Sequence, residues 1–367
     1  MSDLSPPVLA FDAHAAERFT ERFVELLNGG AVAVMCAVGH RTRLFDVMAT
    51  LPPSTSATIA DAAGLAERYV REWLACMVTG RIVTFDPEAA AYHLPPAHAA
   101  ILTRDAPLGN FAVAARYVGM LGSSEDLVVE CLTTGNGSSY AQYPCFHEVM
   151  AEDSGQTVVA QLFDTLLPLA PGLTERLRAG IDVMDAGCGR GLALLAMAER
   201  FPASRFLGLD LCADAIAYAS NSAAERRLRN VRFATEDLTH YAVEGDFDLV
   251  TSFDAVHDQK DPAGLVRTLH RALRPGGVYF MQDIGGSATL ENNLDFALAP
   301  LLYAVSTAHC TPVSIGQGGP GLGTMWGWET ALACLEAAGF ARIERHVFPH
   351  DPMNVWFVAE KGRGLRP

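Results

Sequence analysis

Apolar and polar positions follow a strand-and-helix pattern over the second half of this chain. Short apolar runs suited to buried strands lie at 182–186, 206–210, 231–234, 247–252 and 277–283. Segments with helical spacing of apolar residues separate them, at about 190–201, 213–227 and 261–273. This alternation predicts βαβ units and a parallel, doubly wound sheet of the α/β class. A helix from Trp328 to Ala338, which Gly339 ends, and a pair of antiparallel strands at 342–347 and 353–360 complete the predicted sheet domain.

The first hundred residues have a different, mainly helical pattern. The segment from Thr58 to Leu74 predicts a helix, a turn at Gly64 and a second helix, and strand-like stretches follow at 81–85 and 91–94. This is the outline of a winged helix-turn-helix. Connecting helices are predicted at 108–121, 124–132 and 146–167. We therefore expect three segments: a winged-helix dimerisation domain over 1–105, a helical connector that covers the active site over 106–175, and a catalytic domain over 176–367.

Composition narrows the functional classes. The net charge is −15 and only two residues are lysines, so strong binding to a phosphate backbone is not expected. Residues 1–10 carry no basic start of a secretory signal, and the longest apolar runs, 31–38 and 296–305, are too short to span a bilayer. Eight cysteines without a C-x-x-C pair indicate core thiols in a reducing compartment, and the histidines show no zinc spacing. We expect a cytoplasmic protein without a metal and with a small-molecule partner.

The strongest local motif is the stretch Val183-Met-Asp-Ala-Gly-Cys-Gly-Arg-Gly191, in which a strand runs into a glycine turn and then a helix. Gly187 and Gly189 allow a sharp turn and a close approach of the backbone to a ligand. A dinucleotide fingerprint needs glycine at 192, where this chain has Leu192. The next strand ends at Asp210, which can accept hydrogen bonds from both ribose hydroxyls, and the third ends at Asp237, which can accept one from an adenine amino group.

This combination of acids at successive strand ends resembles the class I S-adenosylmethionine (SAM)-dependent methyltransferases over residues 180–360. The resemblance implies that one group of residues binds SAM: Asp185, Gly187, Gly189, Asp210, Leu211, Asp237, Leu238 and Phe253. Within that group Asp185 would order the methionine moiety, and Leu238 would pack on the adenine. An NAD or flavin enzyme is the alternative in this fold. It is disfavoured because the turn carries an acid in place of the glycine geometry that contacts a phosphate. SAM has no phosphate and needs no anion-binding helix start.

A candidate base follows the fourth strand, in Ser252-Phe-Asp-Ala-Val-His257-Asp258-Gln259-Lys-Asp261. Residues just past a strand's carboxyl end face the ligand crevice, and an imidazole can remove a proton from an attacking hydroxyl. The run resembles the His-Asp-Trp-x-Asp signature of plant-type small-molecule O-methyltransferases, with Gln259 in place of tryptophan. That resemblance implies His257 as general base and Asp283 as the acid that orients it. The structural alternative is that His257 caps a helix or satisfies a buried carbonyl.

The acceptor side is less defined. Aromatic and polar residues at 140–154 predict a pocket that contains Tyr140 and His147, and the glycine-rich stretch 317–326 predicts a lid that contributes Trp326. The chain also resembles a bacterial group of methyltransferases with a fused winged-helix domain, which implies a homodimer. We therefore expect methyl transfer to a hydroxyl of a small molecule, with nitrogen, sulfur and carbon as other acceptors. A DNA-binding regulator with a SAM-sensing domain, or a SAM-binding protein without turnover, is the alternative.

Overall fold

A computed structural model describes residues 11–106 and 109–363. The stretch 1–10, on which the expectation of no secretory signal depends, lies outside these ranges. The chain divides into two compact units, Met1–Gly119 and Met120–Pro367. The predicted boundaries near 105 and 175 stay a prediction.

The N-terminal unit is built from helices and a small β-hairpin. Its helices are α1 (Ala13–Arg41), α2 (Leu44–Thr50), α3 (Ser56–Ala63), α4 (Glu67–Thr79), α5 (Pro96–Leu102) and α6 (Phe111–Ser123), the last of which extends across the unit boundary. The hairpin strands are β1 (Thr84–Asp86) and β2 (Ala91–His93), which pair antiparallel. The first predicted strand is shorter than expected because the amides of Ile82 and Val83 donate to the Met77 carbonyl and so continue the end of α4.

The core of this unit lies along one side of α4. Leu74 and Met77 are fully buried there, and the Trp73 indole N–H donates to the Met35 carbonyl at 2.8 Å. The Trp73 ring meets Phe45 edge to face at 5.3 Å. These contacts place most apolar residues of α4 in the core of its own unit and leave its charged residues at the surface.

Within the described ranges, α1 is long and apolar enough to cross a membrane by length and composition, although only 17% of its most apolar stretch is buried. No membrane span was predicted from the sequence because every uninterrupted apolar run is short, whereas α1 continues through isolated polar residues. The C-terminal end of α1 packs into the unit, with Cys36, Ala37 and His40 buried. A core helix can have the same length and composition, so α1 is weak evidence for a membrane span.

The C-terminal unit contains one mixed sheet with the strand order β5-β4-β3-β6-β7-β9-β8. The strands are β3 (Asp182–Ala186), β4 (Arg205–Asp210), β5 (Val231–Thr235), β6 (Phe247–Phe253), β7 (Leu273–Ile284), β8 (Arg342–Phe348) and β9 (Asp351–Glu360). Neighbours pair in parallel except that β9 runs antiparallel to β7 and β8. Because β4 and β6 flank β3, the strand order reverses at β3, where ligands bind in open α/β sheets.

The helices of this unit are α7 (Glu125–Thr134), α8 (Phe146–Thr157), α9 (Leu173–Ala179), α10 (Leu192–Arg200), α11 (Ala213–Glu225), α12 (Pro262–Ala272), α13 (Ala299–Val305), α14 (Thr311–Gly316) and α15 (Trp328–Ala338). The predicted helix 146–167 is wrong in its second half. After α8, a π turn at Leu162–Leu166 lies between 3₁₀ turns at Val159–Gln161 and Leu167–Leu169. Pro168 cannot continue an α-helix, and the changed turns bury both Leu162 and Leu166.

Apolar layers cover both faces of the sheet. Successive β3 residues show this, since Val183 belongs to the layer with α10 and Met184 to the layer with α12 and α15. Strand β9 divides in the same way between Trp356 and Phe357. Burial on both faces is what a parallel sheet requires, and it leaves the carboxyl ends of the strands to carry polar chemistry.

Candidate active site

The glycine loop that follows β3 adopts a backbone conformation that favours glycine. Gly187, Gly189 and Gly191 have φ values of +74°, +52° and +69°. A Cβ on Gly187 would lie 2.5 Å from the Cβ of Ala255, whereas one on Gly189 would enter open space. The loop is fixed to the end of β4, because the Gly187 amide donates to the Leu209 carbonyl at 2.8 Å. The loop therefore offers a rigid, uncovered backbone to a ligand.

Asp210 supports this loop with both carboxylate oxygens. Oδ2 accepts from the Gly189 amide and Oδ1 accepts from the Cys212 amide, each at 2.8 Å. A carboxylate oxygen has more than one acceptor site, so Asp210 can still accept hydrogen bonds from a ligand. Asp210 thus holds the loop and faces the same cavity as the loop.

Two further acids line the cavity, and their pKa values are shifted in opposite directions. Asp237 accepts a hydrogen bond from the Thr239 amide at 2.9 Å, and hydrogen bonds from the side chain and backbone of Thr239 lower the pKa of Asp237. Asp185 is 2% exposed, and burial, opposed by a 2.7 Å hydrogen bond from Thr251 and assisted by the charge of Asp210, raises its pKa to about 7. A cation beside Asp185 would favour its ionised form.

The residues predicted to bind the cofactor share one cavity. All eight line it, namely Asp185, Gly187, Gly189, Asp210, Leu211, Asp237, Leu238 and Phe253. The predicted pocket residues Tyr140 and His147 line it as well, with Phe146 from the same predicted stretch and Gln317 from the predicted lid. Asp254 and Asp258 also line the cavity and were not predicted to do so. Trp326, His257 and Asp283 do not belong to its described lining. The cavity and its mouth together hold about 1000 Å³ of empty space, part of which is open to solvent.

His257 lies behind the cavity wall, in contact with Asp283. Its Nδ1 is 2.8 Å from Oδ1 of Asp283, and the Trp326 indole N–H donates to the same oxygen at 2.9 Å. All three side chains are buried. Nε2 of His257 has no hydrogen-bond partner among the described residues. The imidazole is thus fixed at one nitrogen and unpaired at the other.

The charge of His257 follows from these neighbours. Burial alone would lower its pKa, but the Asp283 carboxylate, with a smaller effect of Cys310, raises the pKa of His257 well above its ordinary value. The Cys310 thiol lies near the ring without a well-directed hydrogen bond to Nε2. His257 is therefore a stronger base than a free histidine.

Tyr140 closes the cavity over this region. Its hydroxyl donates to Oδ2 of Asp258 at 2.6 Å, and its ring stacks on His147 with centroids 6.0 Å apart. Burial raises the pKa of Asp258, and the hydrogen bond from Tyr140 partly opposes this rise. The predicted lid over 317–326 is packed at its end, since Thr324 is buried and its hydroxyl donates to the Leu302 carbonyl.

Two groups of side chains place metal-ligating atoms within 4.8 Å of one another in the described part of the chain. One contains Asp254, His257 and Asp283, and the other contains His147, Cys212 and Asp214. In the first group Nδ1 of His257 already contacts Asp283. In the second, Asp214 is largely exposed and 3.9 Å from His147.

Comparison with known proteins agrees with this geometry. Residues 30–104 match the Rv2258c-like winged HTH domain, and residues 177–321 match a methyltransferase domain. A 174-residue stretch is 29% identical to nocamycin O-methyltransferase of Saccharothrix syringae, which covers 45% of this chain and 61% of that enzyme. The chain spans less than two thirds of the length of the curated relatives that it matches.

Solved structures resemble the chain over nearly its whole length. Human N-acetylserotonin methyltransferase, solved with SAM, has a TM-score of 0.63 at 15% identity over 97% of this chain and 100% of that one. The mitomycin 7-O-methyltransferase has a TM-score of 0.61 at 18% identity, over 95% and 100%. These matches confirm the predicted fold: a winged-helix domain followed by a class I methyltransferase domain, the kind of domain that uses SAM.

The buried state of Asp185 predicts a specific pH dependence of stability. Its pKa of about 7 in the folded chain exceeds the value of about 3.9 expected after unfolding, so the folded state binds the proton more tightly. The protonated Asp185 carboxyl contributes its full share to the free energy of unfolding below pH 4, and this contribution is lost as the pH rises through 7. The difference in free energy of unfolding between Asp185→Asn and the parent chain should therefore shift in favour of the variant by roughly 2–3 kcal/mol from pH 5 to pH 8.

Urea unfolding followed by tryptophan fluorescence measures this difference, since Trp326, Trp328 and Trp356 all lie in the C-terminal unit. Asp295→Asn is the matched control for the loss of one exposed carboxylate. Equal differences between Asp185→Asn and the parent chain at both pH values would contradict the assignment.

Proposed function

We propose that this protein transfers the methyl group of SAM to a hydroxyl of a small molecule, with His257 as general base. The observation that carries the proposal is the state of His257: Asp283 fixes Nδ1, while Nε2 is buried without a partner within the described ranges. A histidine that merely caps a helix or satisfies a carbonyl would have a bond at Nε2 or a backbone partner at Nδ1. In His257 a carboxylate orients one ring nitrogen and the other has no protein partner within the described ranges, which is the arrangement of a general base.

The cavity beside it suits the cofactor. The open space at Gly189, which a Cβ would fill, admits an extended ligand, and Asp210 and Asp237 can accept from its nucleoside hydroxyl and amino groups. The lining acids Asp185, Asp254 and Asp258 favour a cationic ligand. When bound, SAM would supply a methyl group on a sulfonium, whose carbon–sulfur bond breaks as the methyl passes to an oxygen nucleophile and S-adenosylhomocysteine leaves.

The chain's own part in the reaction is to remove a proton and to position the acceptor. An acceptor hydroxyl bound beside His257 would pass its hydrogen to Nε2, and Asp283 would stabilise the imidazolium that results. The raised pKa of His257 brings this base closer to a phenol, whose pKa is about 10. A neutral amine has no need of such a base, so the site favours a hydroxyl over nitrogen.

The match to a winged HTH domain favours DNA binding as a second candidate, but α4 argues against it. Val70, Leu74 and Met77 on this helix are buried in the core of the N-terminal unit. Its exposed arginines face acids of the same helix, Arg68 with Glu72 and Arg71 with Glu67. A recognition helix needs unpaired donors and positive charge toward a groove. We therefore assign no nucleic-acid partner.

The exposed stripe on α1 supports the proposed homodimer. Phe19, Phe23, Leu26 and Leu27 recur at the spacing of one helix face and are each about half exposed or more. A row of large apolar side chains in water marks an interaction surface. A second copy is the occupant that we propose, because two apolar stripes of this kind can pack against each other about a twofold axis. All eight cysteines are unpaired, in keeping with the cytoplasm as the expected compartment.

Asp210→Asn tests the cofactor site. The amide would face the Gly189 or Cys212 N–H with its own NH₂ group, so the loop loses a hydrogen bond and the ligand loses an acceptor. The Kd for S-adenosylhomocysteine, measured by calorimetry, should rise at least about tenfold. Asp214→Asn, on an exposed neighbour, should leave it unchanged. If the parent chain gives no heat with SAM or S-adenosylhomocysteine but binds NAD, the proposal fails.

His257→Asn tests the base. With 2-naphthol and 2,3-dihydroxynaphthalene as trial acceptors, kcat/KM should fall by about 10²–10⁴ while S-adenosylhomocysteine still binds. The exposed His240→Asn is the control. Activity of the parent chain should be lost as the pH falls through the raised pKa of His257, and Asp283→Asn should move that limb to lower pH. A loss of only tenfold would mean that positioning dominates, and normal turnover would remove His257 as base.

The double variant Phe23→Glu, Leu27→Glu tests the dimer. Charges in the middle of the apolar stripe should separate two copies, so light scattering should give 39.3 kDa in place of twice that mass. Tyr69→Glu, on the exposed side of α4, should stay dimeric. A parent chain that is monomeric at micromolar concentration would contradict the proposed interface.

A further inference from the structure

A second buried histidine, His309, has an unpaired ring nitrogen near the base. It is fully buried in the π turn Ser306–Cys310, which joins α13 to α14. Its Nδ1 lies 3.5 Å from the Cys310 sulfur, and its Nε2 has no partner in the described part of the chain. A buried polar atom without a partner is costly, so it requires a reason.

The tautomer of His309 follows from its neighbours. Burial, assisted by the nearby His257 and His147, lowers its pKa to about 3, so the ring is neutral and carries one N–H. Burial raises the pKa of the Cys310 thiol to about 11, so the thiol keeps its hydrogen and can donate it to Nδ1. The ring hydrogen then resides on Nε2. His309 therefore presents a neutral, unmatched N–H donor.

Aromatic rings surround this donor. Phe146 stacks on the imidazole with centroids 3.9 Å apart, and the Tyr143 ring meets it edge-on at 4.5 Å. Tyr143 is fixed, because its hydroxyl is 2.8 Å from both the Ser138 hydroxyl and the Ala308 carbonyl. Phe146 and Tyr140 also line the cofactor cavity. His309 thus lies one aromatic ring away from that cavity, among surfaces that suit a flat ligand.

The same thiol connects this donor to the base. Cys310 contacts the imidazole of His257 on one side and Nδ1 of His309 on the other. The unpaired Nε2 atoms therefore belong to rings that share one small neighbour. One is placed to take a proton from an oxygen, and the other can only donate a hydrogen bond to an oxygen.

We infer that His309 is a specificity-determining residue, whose Nε2–H binds a second oxygen next to the hydroxyl that is methylated. The inference rests on the proposed function and deepens it. It assigns the acceptor to aromatic compounds with two vicinal oxygens, such as catechols or phenols with an ortho carbonyl. The acceptor would take the place of Tyr140, whose ring is tilted against the imidazole at 5.6 Å, and this requires the Tyr140–Asp258 hydrogen bond to open.

The test compares 2,3-dihydroxynaphthalene with 2-naphthol, which differ by the second oxygen alone. The parent chain with S-adenosylhomocysteine bound should bind the diol at least tenfold more tightly, and kcat/KM should show the same preference. In His309→Phe the preference should disappear through loss of diol affinity, with 2-naphthol within threefold of its parent value. His309→Gln, which keeps an N–H donor, should recover part of the preference.

Matched controls separate specificity from folding. His346→Phe alters a histidine that stacks on Phe348, away from the cavity, and should leave the preference intact. An equal loss for both acceptors in His309→Phe, or no preference in the parent chain, would overturn the inference. If the parent complex prefers the diol in binding but methylates neither compound, His309 is supported as the site of the second oxygen, while the proposed methyl transfer is contradicted.

Discussion

The carboxylate of Asp283 holds the candidate active site together. One of its oxygens receives hydrogen bonds from the His257 ring, the Trp326 indole and the Ile284 amide, at 2.8–2.9 Å. These donors come from the loop after β6, the segment before α15 and the end of β7. A buried carboxylate is stabilised by donors, and all three of these reach Oδ1, while Oδ2 has no partner among the described residues. The bond from His257 to Oδ1 fixes the orientation of the ring, and the Asp283 carboxylate raises its pKa.

Crowding of acids is the second constraint on this edge of the sheet. Burial raises the pKa of both Asp185 and Asp254 to about 7, and Asp254 also has a left-handed backbone with φ of +54°. Such strain and uncompensated acidity are costly in the free chain. A cationic ligand in the cavity would relieve part of the cost by stabilising the ionised carboxylates. An acidic cavity thus gains more from a sulfonium than from a phosphate-bearing cofactor.

Features that depend on residue type and period could be predicted from the sequence. Strands β3 to β7 are apolar runs that end in acids, so Asp185, Asp210 and Asp237 were predicted at one edge without coordinates. The structure places them in one cavity. The π turn at 306–310 could not be predicted, because its residues contain no glycine or proline that would mark a break and only packing shows the wider turn. His309 was missed for that reason, since no motif adjoins it and its role depends on rings from a segment about 160 residues earlier.

Trp326 was predicted in the substrate pocket from its glycine-rich neighbourhood, whereas its indole N–H donates to Asp283.

The winged-helix domain shows why a fold is not a function. The pattern of α3, Gly64 and α4 is specific enough to predict helix-turn-helix geometry from sequence, and residues 30–104 match such a domain. DNA reading needs something further, a helix face whose donors have no other partners. In α4 the apolar face is used by the core and the arginines by neighbouring glutamates. The unit's large exposed apolar surface lies instead on α1, where Phe19 and Phe23 contact each other in the open. Burial of such a stripe against a second copy would be driven by the hydrophobic effect, which is the physical basis of the dimer proposed above.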